Sequence, residues 1–304
     1  MNGFNNLPNL ILGGPGRTGT TSLFEYLLQH RKICGSQEKE TNYFLSPLFN
    51  QPLASLDAYA KLFERCRGRE YRYIVESTPA YFLGGRKIAE AMKGTLGPVR
   101  VVFTLRDPVE RFLSGYWHIK SKVLPGRAVT HQQYLEQSKN VFIESLRRYE
   151  DLHYAILIEG RYADYLEQWY DTIGPESIYI MFYENLLSDM DDTLRSLLKW
   201  LELEADEKMA FPYTNKSISI RSSSFQKLAA ILNRAGEHFL RKNQRIKNIM
   251  GSLYYLLNAK TAKEKCPYEV RKFLEDHYKP STKRLSALLK KNGIGKLPKW
   301  VANA

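Results

Sequence analysis

Apolar residues along this chain fall into short continuous runs that alternate with helix-spaced patterns. The first run, Leu7 to Leu12, breaks off at Gly13-Gly14-Pro15-Gly16. Leu23, Phe24, Leu27 and Leu28 follow at i, i+1, i+4 and i+5, one face of a helix. A strand running through a glycine turn into a helix is the opening βα unit of a nucleotide-binding fold. Tyr73 to Val75 predicts a second strand. Val99 to Leu105, β-branched and almost continuously apolar, predicts a third, of the kind that a parallel sheet covers on both faces. Ser177 to Phe182 predicts a fourth. Tyr162, Tyr165, Leu166 and Trp169 share one helical face, and Leu194, Leu197, Leu198 and Leu201 share another. Such alternation implies an α/β fold, a central parallel sheet flanked by helices and joined by right-handed crossovers. Beyond Phe225 the pattern turns helical and basic up to Leu257. Val270, Phe273, Leu274 and His277 then predict one C-terminal helix, and Leu285, Leu288 and Leu289 another.

Length and composition sharpen this only a little. The 304 residues contain no linker-like tract and no internal repeat, so one domain over 1–304 is expected, with 225–265 a basic helical insertion or acceptor lid. No stretch approaches the ~20 apolar residues of a membrane span. Met1 to Leu12 has no positive region ahead of its apolar run, so no signal peptide is expected. Cys34, Cys66 and Cys266 match no metal spacing; they read as three inert thiols, which points to a cytoplasmic, reducing location. The net charge of +13 suits an anionic ligand, a nucleic acid or an acidic membrane surface. Part of that charge crowds into one stretch: Arg241, Lys242, Arg245, Lys247, Lys260, Lys263 and Lys265.

The chemistry begins at Gly14-Pro15-Gly16-Arg17-Thr18-Gly19-Thr20-Thr21, between the first strand and its helix. Glycines let successive amides converge, and the helix N-terminus adds partial positive charge, which makes an anion cradle. It is not a nucleoside-triphosphate loop of the usual kind, because Thr20-Thr21 stands where Lys-Ser/Thr is required. An ordinary glycine-rich turn is the plainer alternative. The loop resembles the 5′-phosphosulfate loop, GxxKxGTT, of sulfotransferases that use 3′-phosphoadenosine-5′-phosphosulfate (PAPS), with Arg17 in place of the lysine. An arginine keeps the charge but cannot donate a proton.

Further blocks come in the same order as in that family, with the motif pattern nearest to the heparan sulfate sulfotransferases and bacterial members. Arg106-Asp107-Pro108 through Arg111 and Ser114 to Tyr116 is similar to the 3′-phosphate block RDPxxRxxSxY, which implies Arg106 and Ser114 as phosphate ligands. Lys39-Glu40-Thr41-Asn42-Tyr43-Phe44 resembles KExHFF, which implies Glu40 as catalytic base; His118 is the rival. Glu76-Ser77-Thr78-Pro79-Ala80-Tyr81-Phe82 resembles EKTPxYF, with Ser77 where the relatives carry a lysine that touches the acidic glycan. Tyr183-Glu184-Asn185-Leu186 resembles YEDL and implies Tyr183 beside the adenine. Lys216 and Arg221 fall where relatives close a loop over the cofactor.

The resemblance implies a P-loop-like sulfotransferase fold with a helical C-terminal region. It implies in-line transfer from PAPS to a hydroxyl, in preference to an amine, of a glycan, lipid or small-molecule acceptor. Adenosine 3′,5′-bisphosphate is the product, and neither a metal nor a nucleic-acid partner is expected. Two other classes compete. A P-loop-like kinase would use Asp107 as its magnesium carboxylate but lacks the lysine. A non-enzymatic basic binding protein would use the 241–265 stretch, where Leu240, Ile246, Met250, Leu253, Tyr254 and Leu257 interleave with the charge as in an amphipathic surface helix. The same stretch suits a lid for a lipid or carrier-tethered acceptor, with contact to an acidic membrane surface or a carrier protein.

Overall fold

Continuous apolar runs form a parallel sheet here because both of its faces are covered. The computed structural model describes residues 6–120, 129–205, 209, 219–220, 259–260 and 264–304. Its main sheet contains β1 (Leu10–Gly14), β2 (Ile33–Gly35), β3 (Tyr73–Ser77), β4 (Arg100–Leu105) and β5 (Ile178–Phe182). The spatial order is β2-β3-β1-β4-β5, and every pairing is parallel. The central β1 sets Leu10 opposite Val75 on one side and Arg100 on the other. It starts three residues later than the apolar run suggests. Before it, Asn9 pairs through its backbone with Ile74 and Arg100, and its side chain also accepts from the Ile74 amide at 2.8 Å. Strand β2 was not expected, since three residues behind Arg31 and Lys32 are too short to show a period.

Alternate residues of β1 feed opposite cores. Leu10 and Leu12 pack with Leu23 and Leu27 of α1 (Thr20–Leu27) and with Leu194, Leu197 and Leu198 of α9 (Met190–Trp200). Ile11 faces the other way, toward Ile88 of α3 (Gly85–Leu96) and Leu166 and Trp169 of α7 (Tyr162–Ile173). Of the shorter helices, α2 (Leu56–Lys61) joins that core, α5 (His131–Lys139) and α6 (Ile156–Glu159) form a third cluster, and α8 (Tyr183–Ser188) packs its Leu186 on the Leu10 side. Helix α4 (Pro108–His118) follows β4. A separate antiparallel pair joins Ser219–Ile220 to Ala259–Lys260.

Two expectations are corrected. The C-terminal pair of helices is one helix, α10 (Tyr268–Lys291), running through Pro280, with a short α11 (Lys299–Ala302) after it. Pro280 reads as a break because it lacks an N–H. Burial on both sides of it overrides that signal: Val270, Leu274 and Tyr278 pack against α4 and α5, and Leu285 and Leu289 enter the main core. The second correction concerns the thiols. Cys34 on β2 and Cys66, 32 residues on, form a disulfide with Cα atoms 5.8 Å apart, and only Cys266 is free. The expected helical stretch Phe225 to Leu257, together with Lys216 and Arg221, lies outside the described residues. Among the described residues no helix is long and apolar enough to cross a membrane.

The disulfide gives a direct check. Denatured without reductant, the protein should show one reactive thiol per chain, and three after reduction; three without reduction would remove the Cys34–Cys66 bond.

Candidate active site

In a parallel sheet all strands end on the same side, and the loops that follow β1, β3 and β4 meet there. The first of them is the glycine loop. Gly14 has φ +107°, and a Cβ on it would lie 1.6 Å from the Pro79 carbonyl oxygen, so only glycine admits this approach of two backbones. Gly19, at φ +90°, passes the Tyr183 ring, which a Cβ would meet at 3.3 Å. The Thr18 hydroxyl donates to the Pro15 carbonyl at 2.7 Å and ties the loop to itself. No side chain caps α1, so its first amides remain available to an anion.

The second block closes on the first. Arg17 Nε donates to Ser114 Oγ at 3.4 Å, and Arg106 donates to the Arg17 carbonyl at 3.3 Å. The Arg106 guanidinium also lies 4.7 Å over the Tyr183 ring. Arg17, Arg106, Ser114 and Tyr183, which the sequence places in three separate blocks, therefore form one group. Asp107 caps α4: its carboxylate accepts from the Val109 and Glu110 amides at 2.8 and 3.1 Å. Asp107, the carboxylate a kinase-like reading would give to magnesium, thus serves as a helix cap through Oδ1. Among the described residues no group of three or more His, Cys, Asp and Glu side chains could hold a metal.

A cleft of about 260 Å³ opens beside Arg17, lined among others by Thr20, Thr21, Glu40 and His118. Both candidate bases thus face the space next to the loop. Glu40 has left-handed backbone (φ 65°), as do Arg17 and Asn42. Such strain in non-glycine residues gathers where surrounding structure overdetermines it, commonly at functional sites. The Glu40 amide donates to the Ser77 carbonyl at 2.9 Å, and Lys39 Nζ lies 2.8 Å from its carboxylate. Tyr149 lines the same cleft, and burial together with the nearby Glu40 charge pushes its phenol up to about 12. On the other side of Ser114 is a second hollow, lined by Arg106, Ser114, Trp117, Lys265 and Arg271.

Sequence reading missed two buried carboxylates that hold this site. Arg111, fully buried, bonds Glu159 at 2.5 Å, the Ile156 carbonyl at 2.7 Å and the Gly16 carbonyl at 3.3 Å. Burial pushes the Glu159 carboxyl up and the neighbouring guanidinium pulls it back, while Arg111 stays charged. Glu76, at 0% exposure, accepts from the hydroxyls of Thr41, Tyr59, Tyr81 (2.5 Å) and Thr78 (3.0 Å). A glutamate inside an apolar strand was the available signal for Glu76. Nothing in the sequence paired Arg111 with Glu159, 48 residues on.

Comparison with known proteins agrees with the geometry. The family described as "Sulfotransferase domain" matches residues 7–247. The membrane-associated sulfotransferase kil1 of Dictyostelium discoideum is 34% identical over 110 residues, 36% of this chain and 22% of kil1. The bifunctional heparan sulfate N-deacetylase/N-sulfotransferase of Drosophila melanogaster is 23% identical over 308 residues, 97% of this chain and 27% of that protein. The chain therefore spans about a quarter of the length of these relatives. A sulfotransferase from Alicyclobacillus acidocaldarius has the same fold, with TM-score 0.66 over 97% of this chain and 98% of that one, at 20% identity.

Two buried groups yield predictions. Arg111→Met should cost about 3–5 kcal/mol in urea unfolding, because Glu159 is left buried and unpaired; adding Glu159→Leu should recover much of it, and a loss below about 1 kcal/mol for the single variant would contradict the pairing. Glu76 is pushed above its usual 4.5, first by burial, with the hydroxyl bonds opposing. A carboxyl raised on folding contributes fully below its unfolded value and loses that contribution as pH rises through the folded one. As pH rises from its unfolded value through the raised folded one, the wild type should accordingly lose stability relative to Glu76→Gln, and parallel urea midpoints would disprove the shift.

Proposed function

This chain belongs to the sulfotransferase domain family, and we propose that it transfers the sulfuryl group of PAPS to a hydroxyl, in preference to an amine, of a glycan, lipid or other small-molecule acceptor. The observation that carries the reading is the convergence of Arg17, Arg106 and Ser114 on one glycine loop at the carboxyl ends of the strands. The residues fit a bisphosphate nucleotide on physical grounds. An uncapped helix start and Arg17 face one anionic centre, Arg106 and Ser114 face the hollow with Lys265 and Arg271, and the Tyr183 ring flanks them for a base.

PAPS supplies the sulfuryl group, and adenosine 3′,5′-bisphosphate leaves with the electrons of the broken S–O bond. The chain's own residues do the rest. Arg17 and the loop amides of Gly14 to Thr21 hold the negative charge that develops on the bridging oxygen. Arginine contributes charge there and no proton. Glu40, fixed by its amide bond to Ser77 and by Lys39, takes the acceptor proton as the new S–O bond forms. His118 lines the same cleft and is the rival base. Arg106 and Ser114 hold the 3′-phosphate, and no metal takes part.

We read 1–304 as one domain, with Lys216 and Arg221 contributing charge toward the phosphates of the nucleotide. The basic sequence 241–265 supplies charge for contact with an acidic membrane surface or a carrier protein. A cytoplasmic location rested on three free thiols. The paired Cys34 and Cys66 withdraw that support, since such bonds persist in oxidising compartments.

Calorimetric titration with adenosine 3′,5′-bisphosphate, beside ATP and 5′-AMP, tests the cofactor. The bisphosphate should bind, and Arg106→Ala should weaken it about ten- to hundredfold, as expected for charge-assisted phosphate bonds; preference for ATP with magnesium would overturn the reading. In turnover, Glu40→Gln should lower kcat by about 10²- to 10⁴-fold with bisphosphate affinity unchanged, whereas an equal loss in His118→Ala alone would move the base to His118.

A further inference from the structure

We propose, resting on the reading above, that the acceptor of this enzyme is an uncharged molecule with an apolar body, held by the wall that carries Tyr149 and Leu152, and not a polyanionic glycan. Apolar side chains contribute much of the lining of the cleft beside Arg17: Leu83, Ile119, Leu152, Ala155 and Ile156. Its volume of about 260 Å³ is room for a ring system.

Charge decides the class more firmly than size does. Among the described residues lining the cleft, the arginines are Arg17 and Arg111, and no lysine lines it. Arg17 is turned onto Ser114, toward the nucleotide side. Arg111 is fully buried and committed to Glu159 at 2.5 Å. Lys39 lies on Glu40, and Lys120 at the end of α4 is held by Glu264 at 2.8 Å. Ser77, which stands where the heparan-type block has a glycan-contacting lysine, is 0% exposed inside β3. Among the described residues, an incoming carboxylate or sulfate would therefore lose its water next to Glu40 and find the neighbouring cations already engaged, which is unfavourable. The imidazole of His153, on the same wall, is pushed down by burial and is neutral near pH 7, so it adds no positive charge.

Tyr149 makes the wall selective. Tyr149, 41% exposed, lines the cleft together with Glu40, and the His153 ring stands edge-on to it at 6.0 Å. An aromatic face beside the base offers stacking to a flat or alicyclic acceptor and places that acceptor's hydroxyl against Glu40. The transferred group then goes to the hydroxyl oxygen, and the proton goes to Glu40.

The test measures PAPS-dependent transfer to a naphthol, to cyclohexanol and to a uronate-containing, unsulfated polysaccharide, with the bisphosphate titration run alongside. The uncharged acceptors should be used with kcat/KM at least about a hundredfold above the polysaccharide. Leu152→Lys should raise KM for the naphthol about tenfold while bisphosphate affinity stays at the wild-type value. Tyr149→Ala, at an exposed position, should do the same if the lysine variant fails to fold. Preference for the polysaccharide, no transfer to either uncharged alcohol, or an unchanged naphthol KM in a folded variant would overturn the proposal while leaving the cofactor reading in place. Failure of the wild type to bind the bisphosphate would remove that reading, and this proposal with it.

Discussion

The Arg111 guanidinium sits without solvent exposure where three parts of the chain meet. It reaches Gly16 in the glycine loop, the Ile156 carbonyl at the start of α6 and the Glu159 carboxylate at its end. A charge in that position has no water to fall back on, so every donor it carries counts. Its partners define where the loop after β1 stands relative to the helix that walls the cleft. Cofactor cradle and acceptor wall are consequently held in register by one side chain, and neither can shift far without exposing or unpairing it.

Glu76 plays a similar part with a different chemistry. It has no cation, and four hydroxyls surround it instead. Thr41 is one of them, between Glu40 and Asn42, whose backbones are both left-handed. The Glu40 amide on Ser77 and the Asn42 amide on Thr78 fasten the same segment to the end of β3. The proposed base is thus mounted on a strained loop whose geometry is enforced from behind by a buried carboxyl, a form of preorganisation that keeps Glu40 in place before any acceptor arrives. Removing Thr41 or Glu76 would act on Glu40 at a distance, through backbone position rather than through charge at the reacting atoms.

How much of this was legible beforehand depends on the range of the interaction. Strands β1, β3, β4 and β5 were readable because burial on both faces of a parallel sheet demands unbroken apolar runs, and α1, α7 and α9 because one buried face repeats at helical spacing. The glycine loop was readable because its amides and turns need glycine locally, at Gly14 and Gly19. Arg17, Arg106, Ser114 and Tyr183 were legible as blocks only through resemblance; that they touch one another is a fact of the sheet, which brings the ends of β1, β4 and β5 together. Strand β2 and the continuity of α10 through Pro280 were not legible, since three residues show no period and a proline argues locally for a break.

The sequence by itself determined the α/β class, the order of its elements and the residue types at the anion loop, because each of these follows from neighbours within a few positions. Tertiary structure alone decided that Cys34 meets Cys66, that Arg111 meets Glu159, that Glu76 is enclosed by hydroxyls from Thr41 to Tyr81, and that Tyr149 and Glu40 line one cleft. The physical reason is the same in each case. A charge or thiol carries no mark of its partner when that partner is tens of residues away, and its ionisation and bonding are set by burial, which only the assembled fold supplies.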